Sequence, residues 1–124
     1  MKVISSKNAP AALGPYSQAI LAGKTLYVSG VLGLDPKTGK LAGKTVAAQT
    51  ERIFKSMDAI FKAAGFKKTD VVKCNVFLTN LDDFASCNEV YAKYFGKHKP
   101  ARACVQISKL VKGALVEIDA TACK

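Results

Sequence analysis

Apolar residues recur along the chain with two different periods, and the points where the period changes mark the elements. Residues 17–21 and 25–29 read as strands either side of Ala22-Gly23-Lys24, whose glycine is free to take positive φ, so a hairpin is predicted there. Asp35-Pro36-Lys37-Thr38-Gly39 is a turn signal, with proline where φ is preset and glycine where it must be free. It closes a loop rather than a site. From 46 to 64, Ile53, Met57, Ile60, Phe61 and Ala64 follow one another at spacings of four, three, one and three, which predicts an amphipathic helix stopped by Gly65. Residues 71–78 alternate, with Val72, Cys74, Val76 and Leu78 on one side. Residues 82–95 then return to a helical stripe through Phe84, Cys87, Tyr91 and Phe95, ended by Gly96. Two closing strands, 99–107 and 114–120, flank a turn at 109–113.

The order β-β-α-β-α-β-β predicts an α+β fold: a mixed sheet with two helices packed on one face, because both helices need a shared apolar surface. Residues 1–124 form a single domain, with no linker. Alternation in the closing strands sends Ala103, Val105 and Ile107 toward the helices, and Arg102, Cys104, Gln106, Leu115, Glu117 and Asp119 away from them. A face of that mixed character is either wet or covered by another copy of the chain. A symmetric oligomer with Arg102 and Glu117 at the subunit boundary is the economical expectation.

Arg102 changes the picture most, since only it and Arg52 are arginines among 19 basic residues. The planar fork that grips a carboxylate or phosphate bidentately is therefore nearly absent elsewhere. An arginine to hold an anion and Glu117 to move a proton would suffice for a small active site. From strand pattern alone, such a pair is more often structural, on a solvated sheet face.

Composition narrows the alternatives. At 124 residues and 49% apolar, the chain is long enough for one real core and too apolar for disorder. No apolar run reaches the roughly 18 residues of a membrane span, and the N-terminus is too short and polar for a secretory segment. A cytoplasmic protein is the expectation, with a mitochondrial location left open by a targeting peptide outside this sequence. The four cysteines, Cys74, Cys87, Cys104 and Cys123, form no Cys-x-x-Cys pair and have only His98 beside them, which argues against zinc and for free thiols in a reducing compartment. His98 sits in a lysine-flanked loop with no evident partner. The net charge of +10 attracts phosphates, but its lysines are spread along the whole chain with no basic-aromatic interleaving. RNA as a partner is compatible and not favoured.

Several segments, taken in order, resemble one known family. They include Asn8-Ala9-Pro10, Gly14-Pro15-Tyr16-Ser17-Gln18-Ala19, Val28-Ser29-Gly30, the 35–39 turn, Leu81-Asp82-Asp83-Phe84, Pro100-Ala101-Arg102-Ala103-Cys104-Val105 and Val116-Glu117-Ile118-Asp119-Ala120. Together they are similar to the Rid (YjgF-like) family of reactive intermediate deaminases, and within it to the RidA branch of 2-iminobutanoate/2-iminopropanoate deaminases. The resemblance implies a chorismate mutase-like fold assembled as a homotrimer, with sites in the clefts between subunits. It places the carboxylate-gripping arginine at Arg102, the catalytic glutamate at Glu117, a tyrosine assisting catalysis at Tyr16, and substrate-binding positions at Ser29, Gly30, Asn88 and Cys104. The implied reaction hydrolyses 2-imino or enamine acids to 2-keto acids and ammonia, without metal or organic cofactor, on substrates that pyridoxal-phosphate enzymes release.

The chain departs from the family pattern at Val31, where glutamine is frequent, at the short 96–99 loop, and at Leu110-Val111, where Leu-Pro is frequent. Val31 is expected to alter the mouth of the cleft. Two other readings stand beside the deaminase: an endoribonuclease acting on single-stranded RNA and inhibiting translation, and a non-catalytic module binding small carboxylates or acting as a chaperone. Metal-free RNA cleavage commonly relies on histidines, and the chain has one.

Overall fold

The 46–64 periodicity is realised without revision. In a computed structural model describing residues 1–124, helix α1 spans Val46–Ala64. Thr45 caps its start by accepting a hydrogen bond from the Ala48 amide at 3.1 Å. Gly65 ends it in the left-handed region at φ 77, where its own amide reaches Lys62 O and the Phe66 amide reaches Phe61 O. Ile53, Met57, Ile60 and Phe61 are almost wholly buried along one face. Each such side chain contributes about 1.5–3 kcal/mol through its removal from water.

That face rests on a six-stranded sheet in the order β1-β2-β3-β6-β4-β5, with β1 Lys2–Ile4, β2 Ala19–Ala22, β3 Thr25–Leu32, β4 Val71–Leu78, β5 Ala101–Gln106 and β6 Val116–Cys123. All pairs are antiparallel except β4 with β5, which run parallel because helix α2, Phe84–Phe95, crosses over between them. Short 3-10 turns cover Lys68–Asp70, Leu81–Asp83 and Val111–Gly113. Strand β6 lies inside the sheet and alternates cleanly: Val116, Ile118, Ala120 and Ala122 enter the core, while Glu117, Asp119 and Thr121 face the other way. Helix α2 adds Cys87, Tyr91 and Phe95 to a core of 24 residues. Phe54 of α1 stacks on Tyr94 at 4.1 Å and meets Phe95 edge-on at 5.7 Å, which joins the helices to each other.

The α+β layering with both helices on one face is as expected; four local expectations are corrected. The first strand, Lys2–Ile4, was not anticipated, because three residues are too few to show alternation and this strand takes its order from pairing with β2. In β4 it is Val71, not Val72, that packs inward: a register shift between Val71 and Lys73 leaves Val72 49% exposed. His98 does have a partner, since its Nε2 lies 2.6 Å from the Val71 carbonyl oxygen.

The fourth correction concerns β5. Its register sets Arg102 beside Cys74 and Cys104 beside Val76, both buried on the helix side, whereas Ala103 and Val105 lie beside the outward Asn75 and Phe77. Arg102 and Cys104 therefore lie on the helix-facing side, and Ala103 and Val105 on the open side. Polarity misled the alternation because β5 is an edge strand. There the helical layer ends, and a long side chain can lie along it while its charge stays in water.

No helix is long and apolar enough to cross a membrane. All four cysteines are free thiols, and burial pushes the Cys74 thiol up to about 11, which leaves it protonated and inert.

Candidate active site

The site begins with an irregularity in β3. Val28 pairs with Ala120 and Val31 with Ile118, so Ser29 and Gly30 together stand opposite the single residue Asp119 in a bulge. The bulge turns Gly30 toward Glu117 on β6. A Cβ at position 30 would lie only 2.7 Å from Glu117 Cδ, so glycine is required for the carboxyl group to occupy its place. Ser29 does a different job: its hydroxyl donates to the Ser17 carbonyl at 2.6 Å and its amide to the Gln18 carbonyl at 3.0 Å. Those two bonds pin the segment carrying Tyr16 against β3. Tyr16 itself is 55% exposed, its amide donating to the Gly14 carbonyl at 2.8 Å and its ring packing on Gly14.

Tyr16, Ser29, Gly30 and Glu117 thus line one cavity of about 450 Å³, together with Pro10, Ala11, Val31, Leu32, Leu34 and Val111. Glu117 is half-buried there. Burial raises its pKa above the ordinary carboxylate value, and the charge of Asp119 on the same face raises it further. Asp119 is held by the Asn75 amide and side chain, both at 3.0 Å from Oδ1. A half-buried carboxylate with elevated pKa is a stronger proton acceptor than an ordinary glutamate.

Arg102, Asn88 and Cys104 occupy a second locus. The Arg102 guanidinium lies over the Tyr91 ring at 4.7 Å and near Phe84 at 5.6 Å, and donates to Asn88 Oδ1 at 2.7 Å. Asn88 sits on α2 one turn before Tyr91, so one helix face supplies both the stacking surface and the acceptor. Cys104 is half-buried beside them; burial raises its pKa, against a smaller opposing effect of Arg102. Its thiol is neutral. A second cavity, of about 390 Å³, borders this group, with His98, Lys99 and Pro100 in its lining.

The seven sequence-derived candidates are therefore gathered in two sets. Because Glu117 points to the open face and Arg102 lies on the helix side, a single chain does not bring the pair together, and the expectation that they share a face is corrected. Val31 is 7% exposed, belongs to the core and is part of the cavity lining.

Two contributors carried no sequence signal for their roles. Tyr91 is a core-stripe residue whose ring happens to end beneath the guanidinium. Gln18 is buried, and its one amide accepts from the Ser6 amide at 2.7 Å while donating to the carbonyls of Ser6, Ala9 and Pro10 at 3.0, 3.4 and 2.8 Å. The cavity wall at Pro10 hangs on that side chain.

The model of the family described as Endoribonuclease L-PSP matches residues 6–124. The chain belongs to the Rid (YjgF-like) family. A 2-iminobutanoate/2-iminopropanoate deaminase of Homo sapiens is 46% identical over 121 residues, covering 98% of this chain and 88% of that protein. A RutC family protein of Pyrococcus horikoshii is 47% identical over 123 residues, covering 99% of this chain and 98% of its own. Among solved structures, RidA from an Antarctic Psychrobacter superposes with a TM-score of 0.96 at 46% identity, over 100% of both chains. The helices-on-one-face architecture is thus the fold of Rid proteins.

Proposed function

We propose that the chain hydrolyses 2-imino acids, the tautomers of 2-aminoacrylate and 2-aminocrotonate, to 2-keto acids and ammonia. The observation that carries this is the Glu117 carboxyl, seated against Gly30 in an apolar-walled cavity with its pKa raised by burial. Membership of a family with relatives named as imine deaminases supports the same chemistry.

The imine carbon takes its place at Glu117 and the substrate carboxylate at Arg102. Water attacks C2 as Glu117 accepts one of its protons, and the C=N π pair moves to nitrogen. Glu117 returns that proton to the nitrogen, giving the neutral carbinolamine. The adduct's hydroxyl proton then passes to the amino group through Glu117, with the Tyr16 hydroxyl sharing the transfer, and ammonia leaves as the oxygen's electron pair closes the C=O bond. One water enters, and one keto acid and one ammonia leave. The uncatalysed reaction is easy, so orientation and an acid-base group supplying about 10²–10⁴-fold are enough.

Since Glu117 and Arg102 lie on opposite sides of one sheet, the reading requires Arg102 of a neighbouring copy at the Glu117 cavity. A homotrimer with three such clefts meets that requirement. The open face offers apolar surface for it, with Tyr27 53% and Val105 46% exposed. Eliminations catalysed by pyridoxal-phosphate enzymes are the reactions that would supply such imines.

The test generates 2-iminobutanoate in situ with a threonine dehydratase and follows its loss. Acceleration by the wild-type chain, reduced about 10²–10⁴-fold in Glu117→Gln, is the expected result. No acceleration overturns the reading, and unchanged hydrolysis by Arg102→Ala overturns the assignment of the carboxylate anchor. His98, engaged with the Val71 carbonyl, has no placement beside Glu117 that would favour RNA cleavage.

A further inference from the structure

We infer that the Glu117 cavity selects imino acids with extended apolar side chains, of about three or four carbons, over both shorter ones and polar ones of equal size. This rests on the deaminase reading and concerns what that site prefers.

Three features carry it. With the carboxylate at the rim and C2 at Glu117, the substrate side chain is left to enter the cavity, and about 450 Å³ lies within the range of roughly 300–1,000 Å³ typical of pockets for ligands much larger than a two-carbon substituent. Three aliphatic residues of the lining are held in place. Leu32 is the register partner of Glu117 on β3, Leu34 is fixed by the bridge to Leu41, and Val111 stands on a 3-10 turn tied down by Lys112, whose Nζ donates to the Gly39 carbonyl at 2.9 Å. Finally, of the polar side chains in the lining, Gln18 and Ser29 are already engaged, and Tyr16 and Glu117 are taken up by the reaction. The Gln18 amide bonds the backbone of the 6–10 segment, and the Ser29 hydroxyl bonds Ser17. Glu117 is the only charged side chain of the lining. An amide or carboxylate on the substrate side chain would be desolvated there without a dedicated partner.

The experiment compares imines formed by an L-amino-acid oxidase from 2-aminobutanoate, norvaline, leucine and asparagine, with residual imine trapped by semicarbazide. The expected result is a rise in kcat/KM from the 2-aminobutanoate to the norvaline imine of about fourfold for the added methylene. The leucine imine should exceed its near-isostere from asparagine by at least about tenfold. Val111 is 70% exposed, so Val111→Asp is tolerated by the fold and should lower the norvaline-to-2-aminobutanoate ratio, whereas Val111→Leu retains it. Equal kcat/KM for leucine and asparagine imines, a fall with chain length, or a ratio unmoved by Val111→Asp overturns the inference and leaves imine hydrolysis standing. Failure to accelerate loss of any of the four imines overturns the deaminase reading beneath it.

Discussion

Glu117 stands on a strand inside the sheet, against a bulge and under apolar walls, whereas Arg102 hangs from the edge strand with its guanidinium on aromatic rings and its face to water. Each setting suits one task. A proton carrier gains from partial burial, which raises its pKa and makes it a stronger base. An anchor for a carboxylate must keep its charge and donors ready. Stacking on Tyr91 and one bond to Asn88 orient the fork without consuming it. On the proposed function, the difference teaches that a site can be divided between a half-buried part and an exposed part, brought together by a neighbouring copy.

The sharpest way to break that division is to mix chains. Arg102→Ala and Glu117→Gln proteins, each nearly inactive alone, are expected to recover about a quarter of wild-type turnover when co-refolded at equal amounts, because random assembly pairs an intact Glu117 with a neighbour's intact Arg102 at one cleft in four. No recovery in a mixed oligomer would place both groups in one chain. Next in size is Gly30→Ala. Its Cβ displaces the Glu117 carboxyl, and kcat should fall about 10–100-fold with KM little changed, as stopped-assay kinetics will report.

On the exposed side, Asn88→Ala frees the guanidinium and should raise KM by about tenfold, the equivalent of one charge-assisted hydrogen bond, with a smaller effect on kcat. The smallest effect expected is on the pH profile. Glu117 must be deprotonated to act, so kcat/KM rises with pH along an acid limb whose midpoint lies above an ordinary glutamate's. Asp119→Asn removes the like charge and moves that limb to lower pH. The linked stability runs the other way: a carboxyl whose pKa is raised by folding stabilises the fold when protonated, and that contribution fades as pH rises through its folded value. Glu117→Gln should therefore be at least as stable as wild type at neutral pH, by thermal melting.

Legibility in the sequence followed the range of the forces involved. Helix α1 was readable because its period and Gly65 stop are local. The β3 bulge was not, since it exists only against Asp119, some ninety residues away along the chain. Arg102, Glu117, Tyr16, Ser29, Gly30, Asn88 and Cys104 were legible as candidates, but their partition was hidden. Alternation reports which residues share a face and not which face is covered, and at an edge strand polarity ceases to decide. Lys112 is the one residue other than glycine with positive φ, at 60, and nothing in its neighbours announced that.

Gln18 carries a consequence for motion. The stretch from Ser6 to Pro10 has no helix or strand of its own, and four bonds to one amide do much to hold it in place, aided by Arg52 reaching the Asn8 carbonyl at 3.3 Å. Such a segment can open as a unit while the sheet stays folded, at a free energy well below that of global unfolding. Its amides should exchange with solvent early, and each opening would dissolve one wall of the Glu117 cavity. That side of the Glu117 cavity is thus only as persistent as the bonds of one side chain.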